Sequence, residues 1–161
     1  MSYEINPKVK IGHIHLTVSN LDKALSFYRD LLGFQVTARF GTSAVFLSSG
    51  GYHHHIALNT WAGENAPQPP KGTTGLYHFA ILYPSRKELA YAFKRIWEEK
   101  YPIEGASDHG VSESVYLKDP DGNGVELYAD RPFELWPKDE DGNILMITKP
   151  LDLPNLLSEL E

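Results

Sequence analysis

The chain opens on strict alternation. Across residues 9–18, Ile14, Leu16 and Val18 fall on one side and His13, His15 and Thr17 on the other, the period of a half-buried strand. The period then lengthens to that of a helix. Leu21, Ala24, Leu25, Tyr28, Leu31 and Leu32 line one face, Asn20 is placed to cap the first turn, and Gly33 to close the last. Three short strand-like runs follow at 34–40, 44–48 and 54–59, parted by Gly41-Thr42 and Gly50-Gly51. Residues 9–59 are therefore expected to form a β-α-β-β-β module.

Residues 61–74, with Pro67, Pro69, Pro70 and two glycines, read as an irregular linker. The same order then starts again. Residues 75–83 alternate as a strand, and Ser85-Arg-Lys-Glu88 is a capping box opening a helix that runs to Glu99. Leu89, Phe93, Ile96 and Trp97 are expected on its buried side. Strands at 103–106, 113–117 and 124–129 complete a second module, 74–129. Gly12-His-Ile-His15 and Gly75-Leu-Tyr-His78 set His15 against His78 at the same point of the two first strands. The expected fold is α+β: two βαβββ modules forming one curved mixed sheet around a cavity, in a single domain spanning 1–161.

Residues 131–161 fall outside the repeat. Asp139-Glu-Asp-Gly-Asn143 is a turn leading to a short strand at 144–147, and Leu153–Leu160 carries a leucine stripe. A helix that short is marginal alone, so the stripe is expected to pack on this domain or on a second copy in a homodimer.

Composition narrows the chemistry. The 161 residues are 42% hydrophobic and 22% charged, ordinary for a soluble globular protein. A net charge of −6 without a basic stripe argues against nucleic acid. No apolar run approaches the ~18 residues of a membrane span, and the N-terminus lacks a basic-then-apolar signal, so a cytoplasmic protein is expected. Cysteine is absent, which excludes disulfides, thiolate nucleophiles and thiolate metal sites.

The most informative stretch is 107–128. Residues 115–117 and 125–128 flank the turn Asp119-Pro-Asp-Gly-Asn-Gly124, whose glycines are expected to supply positive φ. On the returning strand Val125 and Leu127 point one way and Glu126 the other. A lone carboxylate in an apolar strand calls for a metal or a cation. His15, His78 and Glu126, two imidazoles and a carboxylate with no thiol available, make a ligand set that leaves open positions on Fe(II) or a similar divalent ion. Each histidine alone reads as an ordinary core or surface residue, and Glu126 alone as an ion-pair partner. The matched pair with the carboxylate favours the metal. In His53-His-His55 the parity sets His53 and His55 with Ala57 and Asn59. With Ile56 and Leu58 packed beneath, His55 faces the cavity, and His53 and His13 are assigned to the rim or surface.

The paired modules with ligands on matching strands resemble the vicinal oxygen chelate superfamily, which includes glyoxalase I, bleomycin-resistance proteins and extradiol ring-cleaving dioxygenases. Residues 107–126 resemble the extradiol signature in His109, Val115, Tyr116, Asp119, Pro120, Gly122 and Glu126, departing from it at Ser107. The resemblance implies a dioxygenase of the catechol-2,3-dioxygenase type that uses Fe(II), with Mn(II) or another divalent metal as alternatives. Its substrates would be a small aromatic diol and dioxygen. It also implies that His109 and Tyr116 assist, Tyr116 by hydrogen-bonding a substrate oxygen; taken alone, Tyr116 reads as a sheet tyrosine and His109 as an exposed loop residue. In glyoxalase-like relatives the strand of His55 carries a fourth ligand, usually Glu. Here it has none, which favours a three-ligand site with His55 beside the substrate. The rivals are a glyoxalase-type metal-dependent isomerase or transferase, and a metal-free protein that binds small molecules such as drugs.

Overall fold

The computed structural model describes residues 3–161, and they fall into two compact units, Met1–Pro67 and Gln68–Glu161. In the first, β1 (Ile14–Thr17) leads into α1 (Leu21–Leu25), which runs on as a π-helical segment, Ser26–Leu31. β2 (Gln35–Phe40), β3 (Ala44–Ser48) and β4 (Ile56–Asn59) follow. Asn20 Oδ1 accepts from the Lys23 amide at 2.9 Å, the expected cap. Val45, Leu47, Ile56 and Leu58 are buried with Leu25, Phe27 and Tyr28 in the core of this unit. Phe46, Ala57 and Asn59 alternate to the opposite face of the sheet.

The second unit repeats the order with β5 (Phe79–Leu82), α2 (Arg86–Glu98), β6 (Ile103–Asp108), β7 (Ser112–Lys118) and β8 (Gly124–Asp130). A 3₁₀ turn at Phe133–Leu135, β9 (Lys149–Pro150), α3 (Leu153–Leu157) and a final 3₁₀ turn at Ser158–Leu160 complete it. Ser85 Oγ caps α2 by accepting from the Glu88 amide at 3.2 Å, and Leu89, Ala90, Phe93 and Ile96 form its buried stripe. Trp97, expected in that stripe, is 65% exposed. It lies one residue past the end of the stripe, its ring tilted by 51° against Phe93 at 6.1 Å between centroids.

The α+β class and the twice-used strand-helix-strand order are as expected, but the strands do not join into one sheet. They bond as a four-stranded sheet, β1-β4-β3-β2, and a five-stranded one, β5-β8-β7-β6-β9. In each, the first strand pairs on one side only, in parallel with the last strand of its own module. This also shortens β1. Residues 9–13 alternate but have no strand beside them among the described residues, because β4 offers only four residues. Each sheet carries one slip of register: at Thr37, between the pairs Val36–Leu47 and Ala38–Phe46, and at Glu104, between Ile103–Leu117 and Gly105–Tyr116.

An ionic clasp holds the C-terminal segment to the second unit. Glu113, on the helix side of β7, is 5% exposed and accepts from Arg86 Nε and Arg131 Nη2, both at 2.7 Å. Arg86 reaches on to Glu159 Oε1 at 2.6 Å and Asn155 Oδ1 at 2.8 Å, while Arg131 Nη2 also meets Asp108 Oδ2 at 2.9 Å. Burial works against the Arg86 charge, but its bonds to Glu113 and Glu159 outweigh that and raise its pKa. Leu156 of α3 is fully buried, so the leucine stripe finds its surface within this unit.

One turn chemistry is used twice. Asp119 Oδ1 accepts from the amides of Asp121 and Asn123, and its Oδ2 from Asn123 Nδ2. Asp139 makes the same three bonds with Asp141 and Asn143, which hold its carboxyl below the usual carboxylate range. The strand expected at 144–147 is instead a single bridge, Lys138 to Ile144, and regular pairing begins only at β9, against Ser107 and Asp108. The first turn has Pro120 where the second has Glu140. Glu140→Pro is therefore expected to stabilise the protein by about 0.4–1 kcal/mol, because the twin turn already accommodates proline there. A urea midpoint at or below wild type would show that the two turns differ at that residue. No helix among the described residues is long and apolar enough to cross a membrane.

Candidate functional site

The site in the second unit is built by alternation across β7 and β8. Val115, Leu117, Val125 and Leu127 point into the core, each at most 1% exposed. Tyr116 and Glu126, directly opposite one another in the ladder, point away from it with Ser114 and Tyr128. β5 lies parallel to β8 with Ala80 beside Glu126, and His78 just precedes that strand. Its Nε2 stands 2.9 Å from Glu126 Oε2. Tyr116 Oη lies 3.2 Å from Glu126 Oε1 and 2.6 Å from His109 Nε2. His109, Tyr116, Glu126 and His78 thus form one connected chain. His78, Tyr116, Tyr77, Ser107, Gly124 and Val125 help line a cavity of about 530 Å³. Burial, reinforced by the charge of Glu126, pushes the Tyr116 hydroxyl above the ordinary tyrosine range and keeps it a proton donor at neutral pH.

Gly124 explains how His78 comes so near. Of the two turn glycines only Gly122 adopts positive φ, +81°. Gly124 serves a different need from the one expected: a Cβ there would overlap the Tyr77 carbonyl oxygen and stand 2.9 Å from His78 Cβ. Its missing side chain lets the backbone of residues 77–78 press against β8. His78 Nδ1 is buried without a hydrogen-bond partner among the described residues, so that packing and Nε2 hold the ring.

The pair His78–Glu126 fits a divalent cation. Two donors each ~2.1 Å from an ion and at right angles stand about 3.0 Å apart, close to the 2.9 Å observed. Nitrogen and oxygen donors also suit Fe(II) and Mn(II). Within either unit, the described residues bring no three His, Asp or Glu side chains together as ligands of one ion.

In the first unit the structure places His15, His55 and a residue that sequence reasoning passed over. Asn59 Oδ1 accepts from the Trp61 amide at 3.0 Å, so its Nδ2 donates to His15 Nε2, also at 3.0 Å. That nitrogen of His15 is occupied. His55 Nδ1 bonds Ser48 Oγ at 2.9 Å. The two ladders also revise the expected match of His15 with His78. Ile14 lies opposite Ile56 as Phe79 lies opposite Val125, so the counterpart of His78 is His13, and His15 corresponds to Ala80. The signal was present in the apolar alternation: His13-Ile-His-Leu-Thr-Val18 aligns with His78-Phe-Ala-Ile-Leu-Tyr83. By the same registers Ala57 stands where the second module has Glu126. The His13 ring lies 4.4 Å from that of His54, whose pKa is lowered by desolvation and then by the neighbouring imidazoles.

The sequence model of the glyoxalase/bleomycin resistance protein/dioxygenase superfamily matches residues 10–127. The chain belongs to that superfamily. It is 42% identical over 156 residues to the catechol-2,3-dioxygenase of Bacillus subtilis, covering 96% of this chain and 53% of that protein. Biphenyl-2,3-diol 1,2-dioxygenase 3 of Rhodococcus globerulus is 31% identical over 121 residues, covering 75% of this chain and 63% of that one. The chain thus spans between half and two thirds of these relatives. Among solved structures, lactoylglutathione lyase from Agrobacterium tumefaciens superposes with a TM-score of 0.58 at 28% identity, over 77% of this chain and 96% of that one. The superfamily therefore includes more than one chemistry, and the site residues must discriminate among them.

Proposed function

We propose that the protein is a metal-dependent extradiol dioxygenase that opens a catecholic ring beside its two hydroxyls. The observation that carries this reading is the Tyr116 hydroxyl, held between His109 Nε2 and Glu126 Oε1 on the wall of the cavity. The dioxygenase names of two relatives support it. On this reading His78 and Glu126, 2.9 Å apart, hold the ion. When bound, the ion would polarise the two substrate hydroxyls and bring dioxygen beside them.

The chain's own residues then have protons to move. A catechol and dioxygen give a ring-opened product that retains both oxygen atoms, so no outside reductant is needed. The diol must release protons and the opened product must regain one. Tyr116, kept protonated by burial, relays them: its oxygen accepts the proton that a substrate hydroxyl releases while its own passes to His109 Nε2 across 2.6 Å, and the reverse transfer returns one to the opened product. The lyase resemblance suggests isomerisation as the second reading. Ala57, at the place of a fourth carboxylate ligand, weighs against it.

The test is oxygen uptake by the Fe(II)-loaded protein over a panel of substituted catechols, with the ring-opened product followed by its absorbance. Tyr116→Phe keeps the ring and removes one hydroxyl, so turnover should fall by ~10²-fold or more at unchanged metal content. An isomerase would consume no oxygen. No uptake by wild type across the panel would end the dioxygenase reading.

A further inference from the structure

Residues 137–150 lie outside both repeated modules, yet they reach the same chain of side chains. Lys138 bridges to Ile144 around the Asp139 turn, and the Leu145 amide donates to the Pro137 carbonyl at 2.8 Å. β9 then pairs with Ser107 and Asp108, just before His109. This hairpin seats on Gly110. There φ is +76°, and a Cβ would meet Pro137 Cγ at 2.8 Å and Ile147 Cγ1 at 3.0 Å. From that seat the Ile147 amide lies 3.3 Å from the His109 carbonyl, and the Ile147 carbonyl oxygen 2.9 Å from His109 Nδ1.

A carbonyl oxygen only accepts, so the ring nitrogen facing it carries the proton. Neutral His109 then presents a lone pair at Nε2, the nitrogen 2.6 Å from Tyr116 Oη. The opposite tautomer would aim one acceptor at another across the 2.9 Å to Ile147. Its remaining donor to Nδ1 would be the Thr148 hydroxyl, at 3.3 Å.

We propose that the hairpin 137–147 is a positioning element that locks His109 as the Nδ1–H tautomer, so that Nε2 receives the Tyr116 proton. A phenol has one proton to give. Directed to His109, it leaves Glu126 Oε1, 3.2 Å away, an undiminished acceptor. The C-terminal segment thereby decides which neighbour Tyr116 serves. The catalytic meaning of this lock rests on the proposed role of His109 in proton transfer; the tautomer does not.

The experiment reads the tautomer without turnover. The full chain is labelled with ¹⁵N, and its imidazole rings are recorded by long-range ¹H–¹⁵N correlation, with His109→Asn identifying the His109 signals. Nδ1 should resonate as a protonated, pyrrole-type nitrogen and Nε2 as a pyridine-type one. Thr148→Val should leave both unchanged. Gly110→Ala, which displaces the hairpin, should shift the tautomer ratio toward Nε2–H by roughly fivefold, the worth of one hydrogen bond. An Nε2–H tautomer in wild type, or a switch caused by Thr148→Val, would overturn the inference whether or not Gly110→Ala folds. Catechol turnover is measured separately: its absence with Nδ1–H intact counts only against the dioxygenase reading, and full turnover with Nε2–H counts only against the lock.

Discussion

His78→Ala is expected to bind Fe(II) or Mn(II) at least ~10²-fold more weakly than wild type, since even groups that merely orient a ligand are worth 10–100-fold in metal affinity. Its fold should survive. The His78 side chain is 32% exposed, lies on the cavity side of the sheet, and contributes nothing to the layer of Val115, Leu117, Val125 and Leu127. Glu126 would keep the Tyr116 hydroxyl at hydrogen-bonding distance, 3.2 Å. Titration calorimetry with Mn(II), alongside a urea melt, separates loss of metal from loss of structure. Retention of the ion by His78→Ala would remove the metal site altogether.

Glu113→Ala should cost about 3 kcal/mol of stability, the lower end of the ~3–5 kcal/mol range for breaking a buried ion pair. The lower end applies because both arginines retain some water, at 29% and 32% exposure. The loss is large because one carboxylate serves two guanidinium groups. Without it Arg86 and Arg131 face each other in the space it leaves, and the Arg131 Nε is already buried without a partner among the described residues. The cost should appear as a fall of about 1 M or more in the urea midpoint, given a slope of ~1–3 kcal/mol/M. Glu159→Ala is the control. Its side chain is 39% exposed, so its removal should change stability by only ~0–1 kcal/mol. Equal effects from the two variants would show that the clasp is not centred on Glu113.

What could be read from the chain in advance follows from what each feature depends on. His78 and Glu126 stood out because alternation and an isolated carboxylate are local signals. His109 and Tyr116 stood out because their spacing repeats a known signature. The match of His13 with His78 was less legible, because Gly12 and Gly75 set His15 against His78 while the ladders follow the apolar alternation. The clasp was invisible: Arg86 and Glu113 are 27 residues apart and meet only because the start of α2 lies over β7. The Ile147 carbonyl has no signature of any kind, since a backbone atom acts through its place and every residue has one. The overlong β1 shows the converse limit, a pattern that specifies a strand without supplying its neighbour.

The two slips of register bear on descent. A regular ladder can be reached by many sequences independently, but a slip is a particular fault, and both sheets have it at the same rung, at Thr37 and at Glu104. A shared fault of this kind argues that the two halves of the chain are copies of one ancestral half that already carried it. The rung beside the slip records what happened afterwards. One copy has Phe46 there and Ala57 across the ladder; the other has Tyr116 and Glu126. The ring was kept on both sides, and the hydroxyl and carboxylate belong to one heir alone.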